Sequence, residues 1–169
     1  MSTQSGTMSE VAGIPVEDFR LLILSIDAMV SGVLSQVSGS FHGLGMIVAS
    51  DAAPLPIFQL PAARIDKPKK LESLSTRLAR YACDETSLHD GFHILSPELE
   101  LRLASCYVAA PVPQSEWRPA YLPGISDRVG SRWITAMFAS RVLGVTCTVV
   151  VNSQWRRHYF VAGEWVDYA

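Results

Sequence analysis

Little in this chain advertises a partner. Charged residues make up only 18% of its 169 positions, and 14 Lys and Arg against 16 Asp and Glu leave a net charge of −2. No excess of positive charge exists to hold a nucleic-acid polymer, although a local basic pocket for phosphates stays compatible with that balance. Cysteine is scarce: Cys83, Cys106 and Cys147 are odd in number, widely spaced and without a zinc-ligand pattern. This excludes a disulfide framework and predicts small buried thiols in a reducing compartment. No apolar run reaches the ~18 residues that a membrane span needs, and no basic segment precedes a signal-like core. No membrane association is therefore expected, and the cytoplasm is the expected location. What is plentiful is apolar side chain, 49% of the sequence, which excludes a disordered chain. The length suits a single domain with a genuine core.

Residues 1–13, rich in Ser, Thr and Gly, read as a flexible N-terminal tail, and 14–169 as one domain. Phe19, Leu22, Ile23, Ile26, Met29, Val30, Val33, Leu34 and Val37 recur at three- and four-residue steps, which predicts a long helix over about 15–37. Pro15 suits its first turn, and Glu17 and Asp18 complement the positive end of its dipole. That apolar stripe can pack into the core or form a seam for a partner helix. Leu44 to Ala49 reads as a short buried strand behind Gly43 and Gly45. Ile57, Phe58 and Leu60, bounded by Pro56 and Pro61, suit only an edge strand. Arg64 to Lys70 is a basic connector, either solvated or touching a phosphate. Leu71, Leu74, Leu78 and Ala82 then share one helical face.

The chemistry gathers around Leu88-His89-Asp90-Gly91. An imidazole and a carboxylate stand at the mouth of the apolar run Phe92 to Leu95, and the glycine lets a ligand approach the backbone. A plain turn would have the same spelling. A second strand, Leu101 to Ala110, follows through a turn at Pro97-Glu98. The proline-rich stretch from Pro111 to Pro123 is either a lid or a surface loop. Gly130-Ser131 opens a helix whose predicted apolar face is Ile134, Met137, Phe138 and Val142, stopped by Gly144. The β-branched run Thr146–Asn152 suits a central strand, with His158–Ala162 as its antiparallel neighbour and Trp155 in the turn between. Helices and hairpins in this order predict an α/β (mixed α+β) fold: a mixed central sheet flanked by helices.

Two stretches are similar to a known family. Thr86 to Leu95, followed by Leu103-Ala104-Ser105-Cys106-Tyr107, resembles the core of the diadenylate cyclase domain family. So does Ile125 to Arg132, followed by an amphipathic helix and the strand Thr148 to Val151. The resemblance spans roughly residues 40–165. It implies the diadenylate-cyclase-like fold and, in active members, condensation of two ATP molecules into cyclic di-AMP and pyrophosphate across a face-to-face homodimer. By resemblance, Asp90 handles the attacking ribose hydroxyl and is the catalytic residue. His89 helps hold a Mn or Mg divalent cation. Leu88, Gly91, Tyr107, Gly130, Ser131 and Arg132 bind the nucleotide, with Tyr107 against the adenine.

The second half of that site departs from the family pattern. Family enzymes open the later helix with Gly-Thr-Arg-His-Arg, whereas this chain has Gly130-Ser131-Arg132-Trp133-Ile134. The hydroxyl and first arginine persist, and the histidine and second arginine do not. Asn152-Ser153 stands where a metal-binding acid is expected, and a neutral oxygen is a far poorer ligand for a hard cation than a carboxylate. Arg118, Arg128, Arg156 and Arg157 are the remaining cations that loops could bring. Three readings follow: a sensor or regulatory domain that binds an adenine nucleotide or cyclic dinucleotide with weak or no catalysis, an active diadenylate cyclase, and a protein-interaction module on the same fold.

Overall fold

The computed structural model describes residues 10–11, 14–61, 72–83, 87–112 and 130–166. The predicted tail up to residue 9, the basic connector 64–70, most of the proline-rich loop and the Ile125–Val129 part of the family resemblance lie outside them. A two-residue ribbon comes first, β1 (Glu10–Val11) antiparallel to β2 (Ile14–Pro15). Pro15 thus stands just ahead of the first helix, α1 (Val16–Leu34), not in its first turn. Phe19, Ile23, Ile26, Val30 and Val33 are all buried, and their four- and three-residue steps make one inward stripe. Each such burial is worth about 1.5–3 kcal/mol, more than the few tenths by which β-branched residues disfavour helix. Packing, not propensity, holds α1 together. The helix stops at Leu34, three residues before the predicted end. Ser35 Oγ and Gln36 Nε2 donate to the Gly32 carbonyl at 2.9 and 3.0 Å, and Val37 packs on the core from outside the helix.

The centre is a seven-stranded mixed sheet. Its strands are β3 (Leu44–Ala49), β4 (Ile57–Gln59), β5 (Phe92–Leu95), β6 (Leu101–Val108), β7 (Val145–Val151), β8 (Arg157–Val161) and β9 (Glu164–Val166). They lie in the order β4-β6-β5-β3-β7-β8-β9. β3 is central, parallel to β5 through Met46↔His93 and antiparallel to β7 through Met46↔Val149. All six of its residues are buried, as expected of a strand covered on both faces. β4 is the edge strand that its flanking prolines require. β9 escapes sequence reading, because three residues are too few for periodicity. The turn before it sets Ala162 and Gly163 at φ 50° and 85°, the paired left-handed conformation of tight hairpins.

One face of the sheet packs against α1 and α2 (Leu74–Tyr81), which Ser73 caps by accepting the Thr76 N–H at 3.1 Å. Leu44, Met46, Val48, Leu95, Cys147, Val149 and Val151 point to that side. The other face carries α3 (Ser131–Ala139) over Ile47, Phe92, Ile94, Val150 and Phe160. Here the predicted helix face needs correction. Ala136, Met137, Phe138 and Ala139 are buried, Ile134 is 40% exposed, and Val142 lies beyond the helix. Trp133 takes the inward place instead, edge-on to Phe160 with ring centroids 4.7 Å apart. All three cysteines are buried and free, as predicted. Among the described residues, no helix is long and apolar enough to cross a membrane.

Candidate functional site

The short 3-10 turn Ser87–His89 delivers the chain to Asp90 and Gly91 at the start of β5. Gly91 sits at φ +79°, and a Cβ there would meet the Cys106 carbonyl oxygen at 2.3 Å. No other residue fits, so the glycine of the His-Asp-Gly spelling is demanded by β6. Across from it, the β5–β6 register slips between Phe92↔Cys106 and Ile94↔Leu103. Ser105 occupies that bulge with φ 49°. Its N–H donates to His93 Nδ1 at 3.2 Å, and its hydroxyl donates to the Asp90 carbonyl at 2.7 Å. His93 is itself buried and stacks on Tyr81 of α2, with centroids 5.3 Å apart and planes 21° from parallel. Burial, reinforced by the charges of Arg132 and Arg77, pushes the His93 pKa down to about 3. The imidazole is neutral, with Nδ1 as acceptor.

Arg132 enters from the first turn of α3. Its Nη2 donates to the His89 carbonyl at 2.8 Å. The side chain runs over two glycines of the β3 entry. A Cβ on Gly43 would lie 2.9 Å from Arg132 Nη1, and one on Gly45 would lie 3.0 Å from Arg132 Cδ. Burial lowers the guanidinium pKa and the nearby Asp90 carboxylate opposes that shift. An arginine nonetheless stays cationic.

These elements enclose a cleft of about 550 Å³. Asp90, Gly91, Tyr107, Gly130, Ser131 and Arg132 line it together with His42, Phe92, Cys106, Val108 and Thr135. The Asp90 side chain is 64% exposed at the mouth, with Oδ1 3.5 Å from His89 Nε2, and the His42 ring lies 5.3 Å from that of His89. Gly130 is the N-cap of α3, and no side-chain hydrogen bond closes the helix start. Among the described residues, a Cβ on Gly130 would meet nothing within 4 Å. Tyr107 is 61% exposed. It pairs with Phe58 across β4 and β6, on the sheet face opposite Cys106 and Val108. Two of the residues expected at the site are turned from it: Leu88 is buried in the core under α1 and α2, and strand alternation directs the Tyr107 ring away from the face of Cys106 and Val108.

The other side of the expected site is built differently. Trp133 is committed to Phe160, and Asn152 closes the β7–β8 turn, its Oδ1 accepting the N–H groups of Gln154 and Arg156 at 2.9 and 3.0 Å. Arg157 is turned to α1, where it and the Tyr159 hydroxyl bind Asp27. Arg118 and Arg128 lie outside the described residues. No group of three or more His, Cys, Asp or Glu side chains placed to hold a metal occurs among the described residues. His42, Thr135, His93 and the role of Ser105 were not foreseeable, since each depends on strands brought together from distant parts of the chain. The pair Gly43 and Gly45 was the one visible signal, a double absence of side chain where Arg132 later passes.

The structure superposes on a double cysteine mutant of DacA, a diadenylate cyclase from Staphylococcus aureus. The match covers 90% of each chain with a TM-score of 0.53 and 18% identity. The fold is diadenylate-cyclase-like. A second match is a hypothetical membrane-spanning protein from Bacillus cereus, with a TM-score of 0.54 and 16% identity over 85% of this chain and 61% of that one. No protein-family model matches the chain, and no curated protein does. Likeness to DacA at such identity establishes the fold, and function has to be argued from the cleft.

Proposed function

We propose that this protein binds an adenine nucleotide, or a related dinucleotide, in the cleft beside Asp90, as a sensor or regulatory domain with little or no cyclase turnover. One observation carries the reading. A cleft of about 550 Å³, within the range of small-molecule sites, gathers a carboxylate, a guanidinium, a hydroxyl and the first turn of α3 around bare glycine backbone. Helix N-termini favour phosphates, and Arg132 and Ser131 stand there. In this reading the exposed Asp90 carboxylate at the mouth takes a ribose hydroxyl. A Mn or Mg ion would be held by the phosphates together with His89 and Asp90, since two side chains alone make no cage for a hard cation.

The inference of weak turnover rests on Trp133, Ile134 and Ser153. By resemblance, Trp133 and Ile134 stand where family enzymes keep a histidine and an arginine, and Ser153 where they keep a metal-binding acid; Trp133 packs on Phe160, and Asn152 beside Ser153 closes the turn. Loss of one preorganised donor commonly costs ~10²–10³ in rate. Calorimetry with ATP, AMP and cyclic di-AMP is expected to show binding of at least one. No heat with any of them at millimolar concentration refutes the proposal. The retained Asp90 favours a second reading, an active diadenylate cyclase with a rewired phosphate pocket. Joining two nucleotides needs two facing copies, so that reading also requires a homodimer. Cyclic di-AMP formed from ATP and Mn²⁺, and lost in Asp90→Asn, would establish it over the first.

A further inference from the structure

Every polar atom of Ser105 is committed. Its N–H goes to the buried His93 Nδ1 at 3.2 Å, its carbonyl accepts the Leu60 N–H of the edge segment at 2.9 Å, and its hydroxyl holds the Asp90 carbonyl at 2.7 Å. The residue is fully buried and left-handed, with φ 49°. That conformation is unfavourable for any residue carrying a Cβ, and glycine would adopt it freely. A position needing only the bulge would therefore be served by glycine. What serine adds is the hydroxyl, and the hydroxyl is spent on Asp90. The preceding carbonyl, that of His89, is held independently by Arg132 from the opposite wall. Two consecutive carbonyls of the loop are thus gripped from two sides, while the Asp90 carboxylate beyond them projects 64% exposed into the cleft mouth.

We propose that Ser105 is a positioning residue that fixes the Asp90 backbone, and through it the direction of the Asp90 carboxylate, with buried His93 as the anchor behind it. The inference rests on the nucleotide-binding reading for its consequence, though not for its geometry. Side chains that orient a functional group matter because small misplacements of that group cost large factors.

The test compares wild type with Ser105→Gly and Ser105→Ala. Both variants lose the hydroxyl, and the glycine variant also removes the left-handed steric penalty. In the ligand-free protein, NMR order parameters at Asp90 and Gly91 are expected to fall from about 0.85, typical of rigid backbone, to below about 0.6. ATP affinity by calorimetry is expected to drop about tenfold in both, by analogy with the tenfold or larger losses seen when supporting hydrogen bonds are removed. The melting temperature of Ser105→Gly is expected to stay near that of wild type, so that affinity and stability part company. Unchanged order parameters at Asp90 and Gly91 in Ser105→Gly overturn the proposal. So does an affinity that merely follows the melting temperatures across the three proteins. If wild type itself binds no nucleotide, the functional reading fails, and the order parameters alone decide the positioning role.

Discussion

Buried His93 makes this fold acid-sensitive in a way that can be calculated. The imidazole is fully enclosed between Tyr81 and the β5–β6 bulge, accepts the Ser105 N–H, and faces the charges of Arg132 and Arg77. Burial first, then those two cations, depress its pKa from 6.5 to about 3 in the folded protein. A depressed histidine pKa means that the unfolded chain takes up a proton which the folded chain refuses. Stability from this source is complete above 6.5 and is lost as pH falls from there toward 3. Each pH unit well below the unfolded value costs ~1.4 kcal/mol per proton. Integration from pH 7 to pH 5 gives a loss of about 2 kcal/mol. That figure requires only that folded His93 stay neutral at pH 5.

The assay is urea denaturation of wild type and His93→Asn at pH 7, 6 and 5. Asparagine keeps an acceptor near the Nδ1 position and cannot take up a proton. The variant starts less stable, because a ring is lost from the core, but its stability is expected to fall about 2 kcal/mol less than that of wild type between pH 7 and pH 5. All other titrating groups are common to both proteins and cancel in the comparison. Equal losses over that range would refute the reasoning. So would imidazole nitrogen chemical shifts showing His93 protonated at pH 5 in the folded wild type.

Other consequences follow from single contacts. Gly91→Ala would place a Cβ 2.3 Å from the Cys106 carbonyl at a φ of +79°, so a loss of more than about 3 kcal/mol is expected in denaturant titration. Asp27 ties α1 to β8 by accepting from the Tyr159 hydroxyl at 2.6 Å and from Arg157. Burial works against its carboxylate, and the hydrogen bonds from Tyr159 and Arg157 outweigh it, so its pKa lies below the ordinary value. Asp27→Asn is expected to cost about 1–3 kcal/mol in the same titration, since Arg157 loses its charged partner. Tyr107→Ala touches an exposed ring, so stability should move by less than about 0.5 kcal/mol. If the ring stacks on a base, calorimetric affinity for ATP should weaken by about 1–3 kcal/mol.

Periodicity located the elements whose burial is regular. The stripe from Phe19 to Val33, the continuous apolar run Leu44–Ala49 and the β-branched run ending at Val151 each have one physical solution, and each formed. Prolines on both sides of Ile57–Gln59 marked an edge because proline cannot donate to a second neighbour. The His-Asp-Gly and Gly-Ser-Arg segments were visible as spellings, and the fold brings them to one cleft. On α3, Met137 and Phe138 face the core as the pattern predicts, and Ile134 does not. Hydrophobicity alone cannot tell Ile134 from Trp133, and what selected Trp133 was Phe160, on a strand 27 residues later in a chain whose numbering shows no link between them.

By itself the sequence determined the mixed helix-and-strand class, the central strands, the free buried thiols and the chemistry available at Asp90, Gly130, Ser131 and Arg132. Each of these depends on local pattern or on residue type. Only the tertiary structure decided that Leu88 is core, that Gly43 and Gly45 clear a track for Arg132, that Asn152 belongs to a turn, and that Ser105 and His93 grip the loop bearing Asp90. Those are contacts between strands and helices distant in sequence, with distances set by the register of the sheet, and no one-dimensional pattern encodes them.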